Sequence, residues 1–189
     1  MSPSSLLGAA GEHYVMSQLL RRGLIAALAP VGVPTADIVI TDDAGERACA
    51  LQVKTRRELG SDGGWHMKAK HENIRGTSLF YVFQSFPTDQ SRLPDAFVVP
   101  SIVVADTLYR AHRAWLARPG GGGKPHKDGE MRRFLPDYTR ENLGDELGPG
   151  WLEHYRDAWQ LLAPETLVSQ RPGTPTSSAK QSFSMRSGP

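Results

Sequence analysis

A mixed α/β domain is the fold class this sequence predicts, and three observations carry the prediction. Apolar residues recur at helical spacing near the N-terminus, two strand-like runs flank a segment of turn composition, and further strand-like runs lead into a second helical stretch. At 189 residues the chain suits one domain with an appended tail, since single domains usually hold about 100–200 residues. A domain of that size buries enough surface to need no disulfide or structural metal.

Residues 5–22 read as a helix, with Leu6, Leu7, Ala10, Tyr14 and Leu19 at helical spacing and Arg21, Arg22 and Gly23 as the stop signal. A short apolar run at 24–29, ended by Pro30, reads as a strand. The runs 36–41 and 47–55, joined by Asp42-Asp43-Ala44-Gly45-Glu46, read as a β-hairpin. Residues 60–64 form a loop and 65–70 a short strand. Aromatic and β-branched residues fill 79–86, which predicts a buried strand. Another strand follows at 96–100 and a helix at 103–117. Four consecutive glycines mark 118–129 as a mobile loop. A last short strand is expected at 134–138, then a closing helix at 151–162 with Trp151, Tyr155, Trp159 and Leu162 on one face. From Ser169 large apolar residues nearly vanish, so burial there does not offset ordering entropy and disorder is expected. The expected units are therefore a core at 1–118, a glycine-rich loop and helical extension packed on it at 119–168, and a tail at 169–189.

The formal net charge is +2, but Arg171, Lys180 and Arg186 lie in the tail. Setting those three aside leaves 19 basic against 20 acidic residues in 1–169, so bulk charge gives no argument for nucleic acid. Cys49 is the only cysteine, which excludes an internal disulfide and a zinc–cysteine site. Beside Ala48, Ala50 and Leu51 it reads as a small buried residue, in keeping with a reducing cytoplasm. No window is apolar and long enough to span a bilayer, and the N-terminus shows no secretory pattern. A cytoplasmic protein with no membrane partner is the expectation.

Chemistry enters through three unusual positions. In the strand 47–55 alternate side chains face opposite ways. Cys49, Leu51 and Val53 make an apolar face, while Ala50, Gln52 and Lys54 share the other. Small residues followed by an amide and an ammonium leave room for something to pack or bind. Asp37 opens the preceding strand, where hairpin pairing brings it near Gln52 and Lys54; taken alone it also reads as a strand-edge residue or turn cap. Glu12 lies at the edge of the apolar stripe of the first helix, where Gly8 and Gly11 allow close approach to a sheet. An acid on such a face is costly unless it is paired, bound to a cation, or snorkels to solvent.

Together Gly11-Glu12 on the first helix, Asp37 at the start of one hairpin strand and Gln52-Val53-Lys54 on the other resemble the PD-(D/E)XK nuclease superfamily, over roughly residues 5–100. The resemblance implies a restriction-endonuclease-like or Holliday-junction-resolvase-like core of the αβββαβ type, a central mixed β-sheet flanked by helices, here with a C-terminal helical extension. This chain has Gln52 where the family pattern has a second acid. The implied activity is metal-dependent phosphodiester hydrolysis, as a DNA endonuclease in restriction, repair or mobile-element defence. In it Asp37, Glu12, the amide oxygen of Gln52 and the carbonyl of Val53 would hold Mg²⁺ or Mn²⁺, and Lys54 would orient the attacking water. A homodimer is a further expectation, with no interface legible in the residues.

Arg56, Arg57, Lys68, Lys70 and Arg75, with Trp65 among them, form the candidate nucleic-acid surface, cations for phosphates and an aromatic for a base. Glu58, Asp62 and Glu72 dilute that cluster, which reads equally as a solvated loop. Two other classes of function stay open: a nucleic-acid-binding module that keeps the nuclease fold without turnover, and a protein-interaction domain in which Glu12 and Lys54 form a buried ion pair.

Overall fold

The computed structural model describes residues 3–42, 48–58 and 63–162. The chain opens with helix α1 (Pro3–Leu20) and continues through β1 (Ile25–Leu28), β2 (Ile38–Thr41) and β3 (Ala48–Arg57). After β4 (Trp65–Lys68) and a 3-10 turn (Ala69–Asn73) come β5 (Leu79–Phe86), β6 (Asp95–Pro100) and helix α2 (Ser101–Ala117). The extension holds β7 (Met131–Phe134), the short helix α3 (Gly144–Leu147) and 3-10 turns at Trp151–Tyr155 and Trp159–Leu162.

Five strands make a mixed central sheet in the order β1-β2-β3-β5-β6, parallel between β3 and β5 and antiparallel elsewhere. Helices flank it, and the C-terminal extension packs beside them as short helical turns. One face is apolar: Leu51 and Val53 of β3, Ile38 and Ile40 of β2, and Val82 of β5 cluster with Val15 and Leu19 of α1. The other face is aromatic around Tyr81 and Phe83, which cluster with Trp65, Phe97, Leu108 and Phe134. Phe83 and Phe134 stack with ring centroids 4.1 Å apart.

The hairpin register pairs Ile38 with Leu51 and Thr41 with Ala48. The predicted strand 79–86 agrees with β5 at both ends. Other expectations need correction. The packed stripe of α1 runs through Gly11, Val15 and Leu19, while Leu6 and Ala10 are exposed. Among the described residues no atom lies within 4 Å of where a Cβ at Gly8 would stand, so of the two helical glycines only Gly11 makes the close approach. The last strand lies at Met131–Phe134 rather than 134–138 and pairs antiparallel with β4 in a separate two-stranded sheet. No continuous helix spans 151–162. Asp157 has φ 47° between the two 3-10 turns, a backbone conformation that an α-helix does not accommodate. The expected disorder of 169–189 concerns residues outside those described, as does part of the hairpin turn.

Candidate functional site

The site forms where β2 leaves β3. Pairing between them begins at Ile38 and Leu51, yet β3 runs on to Arg57 beside β5 alone. From Gln52 onward one edge of β3 therefore lacks a strand partner among the described residues. Asp37 completes that edge. Its backbone N–H donates to the Leu51 carbonyl at 2.7 Å, and its carboxylate Oδ2 accepts the Val53 N–H at 2.7 Å. The same Oδ2 also accepts a hydrogen bond from the side-chain amide of Gln52. A carboxylate only accepts, so the amide nitrogen of Gln52 is the atom that faces Asp37.

In a strand the N–H and C=O of one residue point to the same side. The Val53 carbonyl therefore faces the fork, with its N–H, while the Val53 side chain is buried in the apolar cluster. Gln52 is buried and Lys54 half-buried. Burial draws the Lys54 ammonium below its ordinary range; Asp37 and Glu12 oppose this with negative charge, and Lys70 adds to it.

Glu12 arrives from the opposite layer. A side chain at Gly11 would place its Cβ 2.0 Å from the Thr55 hydroxyl and 2.9 Å from the Gln84 amide oxygen. Only hydrogen fits there, so α1 lies directly on β3 and β5. Gln84 fastens the contact by donating to the Gly11 carbonyl at 3.3 Å. The next residue, Glu12, is half-buried. Its carboxyl is held above the usual range first by burial and then by the charge of Asp37, while His13 and Lys54 pull it down. Glu12, Asp37 and Lys54 thus share one electrostatic neighbourhood, to which Gln52 is tied through its hydrogen bond to Asp37. Glu12 and Lys54 make no direct ion pair among the described residues, which argues against the buried-pair alternative.

Among the described residues no group of three or more His, Cys, Asp and Glu side chains is gathered to hold a metal ion. The donors that are present are hard oxygens: two carboxylates and a backbone carbonyl. Both hydrogen bonds to Asp37 fall on Oδ2, and Glu12 has no hydrogen-bond partner among the described residues. That set fits Mg²⁺, which keeps several waters and binds through one or two carboxylates rather than a full protein cage.

The candidate contact residues separate. Arg57, Lys68 and Lys70 are exposed, and Lys70 also donates to the Pro34 carbonyl at 3.2 Å. Arg75 is held by Asp106 at 2.6 Å. Trp65 corrects the expectation of an exposed stacking ring. It is 2% exposed, donates its indole N–H to the Gln84 carbonyl at 2.7 Å and lies 4.2 Å beneath the Arg56 guanidinium.

His71 lies in the sequence among the candidate contact cations Lys68, Lys70 and Arg75. It is buried, its Nδ1 lies 2.7 Å from the Tyr81 hydroxyl, and its pKa is pushed down to about 4 by burial, then by Lys54, Lys70 and Lys68. Nothing in a polar segment such as Lys68-Ala69-Lys70-His71 signals a buried imidazole.

No protein-family model matches this chain, and no curated protein matches it. Among solved structures it is similar to the bacterial homing endonuclease I-Ssp6803I at 16% identity and a TM-score of 0.46, over 86% of this chain and 92% of that one. It is also similar to Hjc, a Holliday junction resolvase of the archaeal hyperthermophile Archaeoglobus fulgidus, at 16% identity and a TM-score of 0.38, over 68% of this chain and 83% of that one. Similarity this weak leaves the function to be argued from the residues. No helix among the described residues is long and apolar enough to cross a membrane.

Proposed function

We propose that this protein is a metal-dependent DNA endonuclease of the PD-(D/E)XK type, hydrolysing phosphodiester bonds at the fork between β2 and β3. What supports the reading is the Asp37 carboxylate at the end of the β2–β3 pairing, with Glu12 and the half-buried Lys54 near enough for their charges to act on one another. An acid whose ionisation is opposed by burial and by the charge of Asp37, near a desolvated lysine, serves chemistry better than packing.

When bound, Mg²⁺ would polarise the phosphate and lower the pKa of the attacking water. Asp37 and Glu12 would hold it, with the Val53 carbonyl as a third oxygen. Gln52 fixes the Asp37 carboxylate through its amide N–H. It stands as a positioning residue, and the absent second acid leaves the site with less negative charge. Lys54 orients the water and offsets charge developing on the phosphate oxygens. Arg57, Lys68 and Lys70 supply exposed cations for the flanking phosphates.

The test is cleavage of supercoiled and linear DNA in Mg²⁺ or Mn²⁺ against chelator. Asp37→Asn and Lys54→Ala are each expected to lower the rate by about 10²–10³-fold or more, with circular dichroism unchanged. Absence of cutting on single-stranded, duplex and branched DNA with either metal removes the nuclease reading. A gel shift without cutting selects a DNA-binding module, which the neutral Gln52 favours.

A further inference from the structure

Helix α1 and the sheet meet most closely at a seat that is itself polar. Gly11 is buried, and the place a Cβ would take there is 2.0 Å from the Thr55 hydroxyl, 2.9 Å from the Gln84 amide oxygen and 3.1 Å from the Thr55 Cβ. Thr55 and Gln84 are register partners on the parallel strands β3 and β5, so their side chains stand abreast on one face of the sheet. One turn further along the helix, Val15 clusters with Val53, two residues before Thr55 on the same strand.

Stability does not explain the polarity of this seat. Thr55 Oγ1 and Gln84 Oε1 are both buried and have no hydrogen-bond partner among the described residues. A buried oxygen left without a partner is destabilising, and apolar residues of the same shape avoid that cost. They would also forfeit two things. An oxygen is smaller than a methyl group, so Thr55 lets the helix backbone lie nearer to β3 than valine would. The Gln84 amide donates to the Gly11 carbonyl at 3.3 Å, and no apolar side chain replaces that bond. The residue borne by this seat is Glu12, next along the helix and near enough to Asp37 for the two charges to interact.

We propose that Thr55 and Gln84 are positioning residues which, with the bare Cα of Gly11, set how far Glu12 reaches toward a divalent cation at Asp37. This rests on the nuclease reading for the presence of that cation. Asp37 is fixed to β3 by its own hydrogen bonds. Lifting α1 off the seat therefore withdraws Glu12 and leaves Asp37 in place.

The experiment is Mn²⁺ binding to the full chain, read as loss of the free-ion signal in electron paramagnetic resonance, with DNA cutting scored separately. Glu12→Gln and Gly11→Ala are each expected to weaken binding about tenfold. Combined, they are expected to lose no more than Glu12→Gln alone, because both act through one carboxylate. Thr55→Ala removes the nearest obstructing atom and is expected to restore most of the affinity lost in Gly11→Ala. Gln84→Met is expected to weaken binding without lowering the melting temperature, which a merely structural role would lower. Gly8→Ala, on the same helix, is expected to leave Mn²⁺ affinity unchanged. Should Gly11→Ala fold poorly, Thr55→Val and Gln84→Met carry the same comparison with Glu12→Gln.

A loss in Gly11→Ala that recurs in full on top of Glu12→Gln overturns the inference, as does an equal loss in Gly8→Ala. So does wild-type affinity kept by Gly11→Ala, Thr55→Val and Gln84→Met alike, or a wild type that binds no Mn²⁺. Mn²⁺ binding with the expected dependences but no cutting of any DNA removes the nuclease reading alone. Cutting that needs Asp37 and Lys54, with Mn²⁺ binding indifferent to the seat, removes the positioning role alone.

Discussion

On one side of β3, Leu51 and Val53 are sealed into an apolar cluster with Val15 and Leu19 of α1. One residue along, Gln52 and Lys54 turn to the other side and meet Asp37. Both sides are largely shielded from water, yet at these positions only the first presents apolar side chains from β3. The second places an ammonium and the Asp37 carboxylate where charge is costly. Alternation along a strand lets one segment of ten residues bear the core and the proposed catalytic groups at once. A difference of this kind predicts that stability and activity respond to different substitutions.

The largest effect on stability is expected from the apolar side. Leu51→Ala should cost about 2–5 kcal/mol in urea denaturation, whereas Lys54→Met should shift stability by less than about 1 kcal/mol while abolishing cleavage. Equal losses in the two variants would erase the distinction between the faces. A smaller effect is expected from His71. Its folded pKa is about 4 against 6.5 in the unfolded chain, so between those values the unfolded state binds the extra proton. The stability is present in full above about pH 6.5 and is lost as pH falls toward about 4, by about 2–3 kcal/mol. His71→Gln should flatten that slope in denaturation midpoints, and a slope that survives the substitution would place its origin elsewhere.

Glu12 sharpens the comparison at the low end. Its carboxyl is raised by burial and by Asp37, so the charged form costs stability above its window and the cost recedes as pH falls. Glu12→Gln should therefore leave the protein as stable or gain up to about 1 kcal/mol near neutral pH, while slowing cleavage. A clear drop in melting temperature would show that the acid serves packing instead.

Much of the fold was legible because its signals are local. The hairpin follows from alternation and turn residues, and β5 from a run of aromatic and β-branched side chains. Hairpin register alone places Asp37 beside Gln52. What escaped is non-local. No pattern in Met131–Phe134 names β4 as its partner. Trp151, Tyr155 and Trp159 sit at helical spacing, but their spacing does not reveal the left-handed turn at Asp157. The inward aim of Trp65 was present in the alternation Trp-His-Met-Lys, which puts Trp65 with Met67 and His66 with Lys68. Gly11 was readable as a point of close approach, but only the contact with Thr55 distinguishes it from Gly8.

The hydrogen bond from Val53 N–H to Asp37 makes a side-chain oxygen the final rung of the β2–β3 ladder. Sheet and proposed metal site therefore have an atom in common. A cation that draws the Asp37 carboxylate toward itself also pulls on the strand border, and fraying of that border withdraws the acid. Occupancy of the proposed metal centre and solvent exchange of a single backbone amide, that of Val53, are consequently expected to move together.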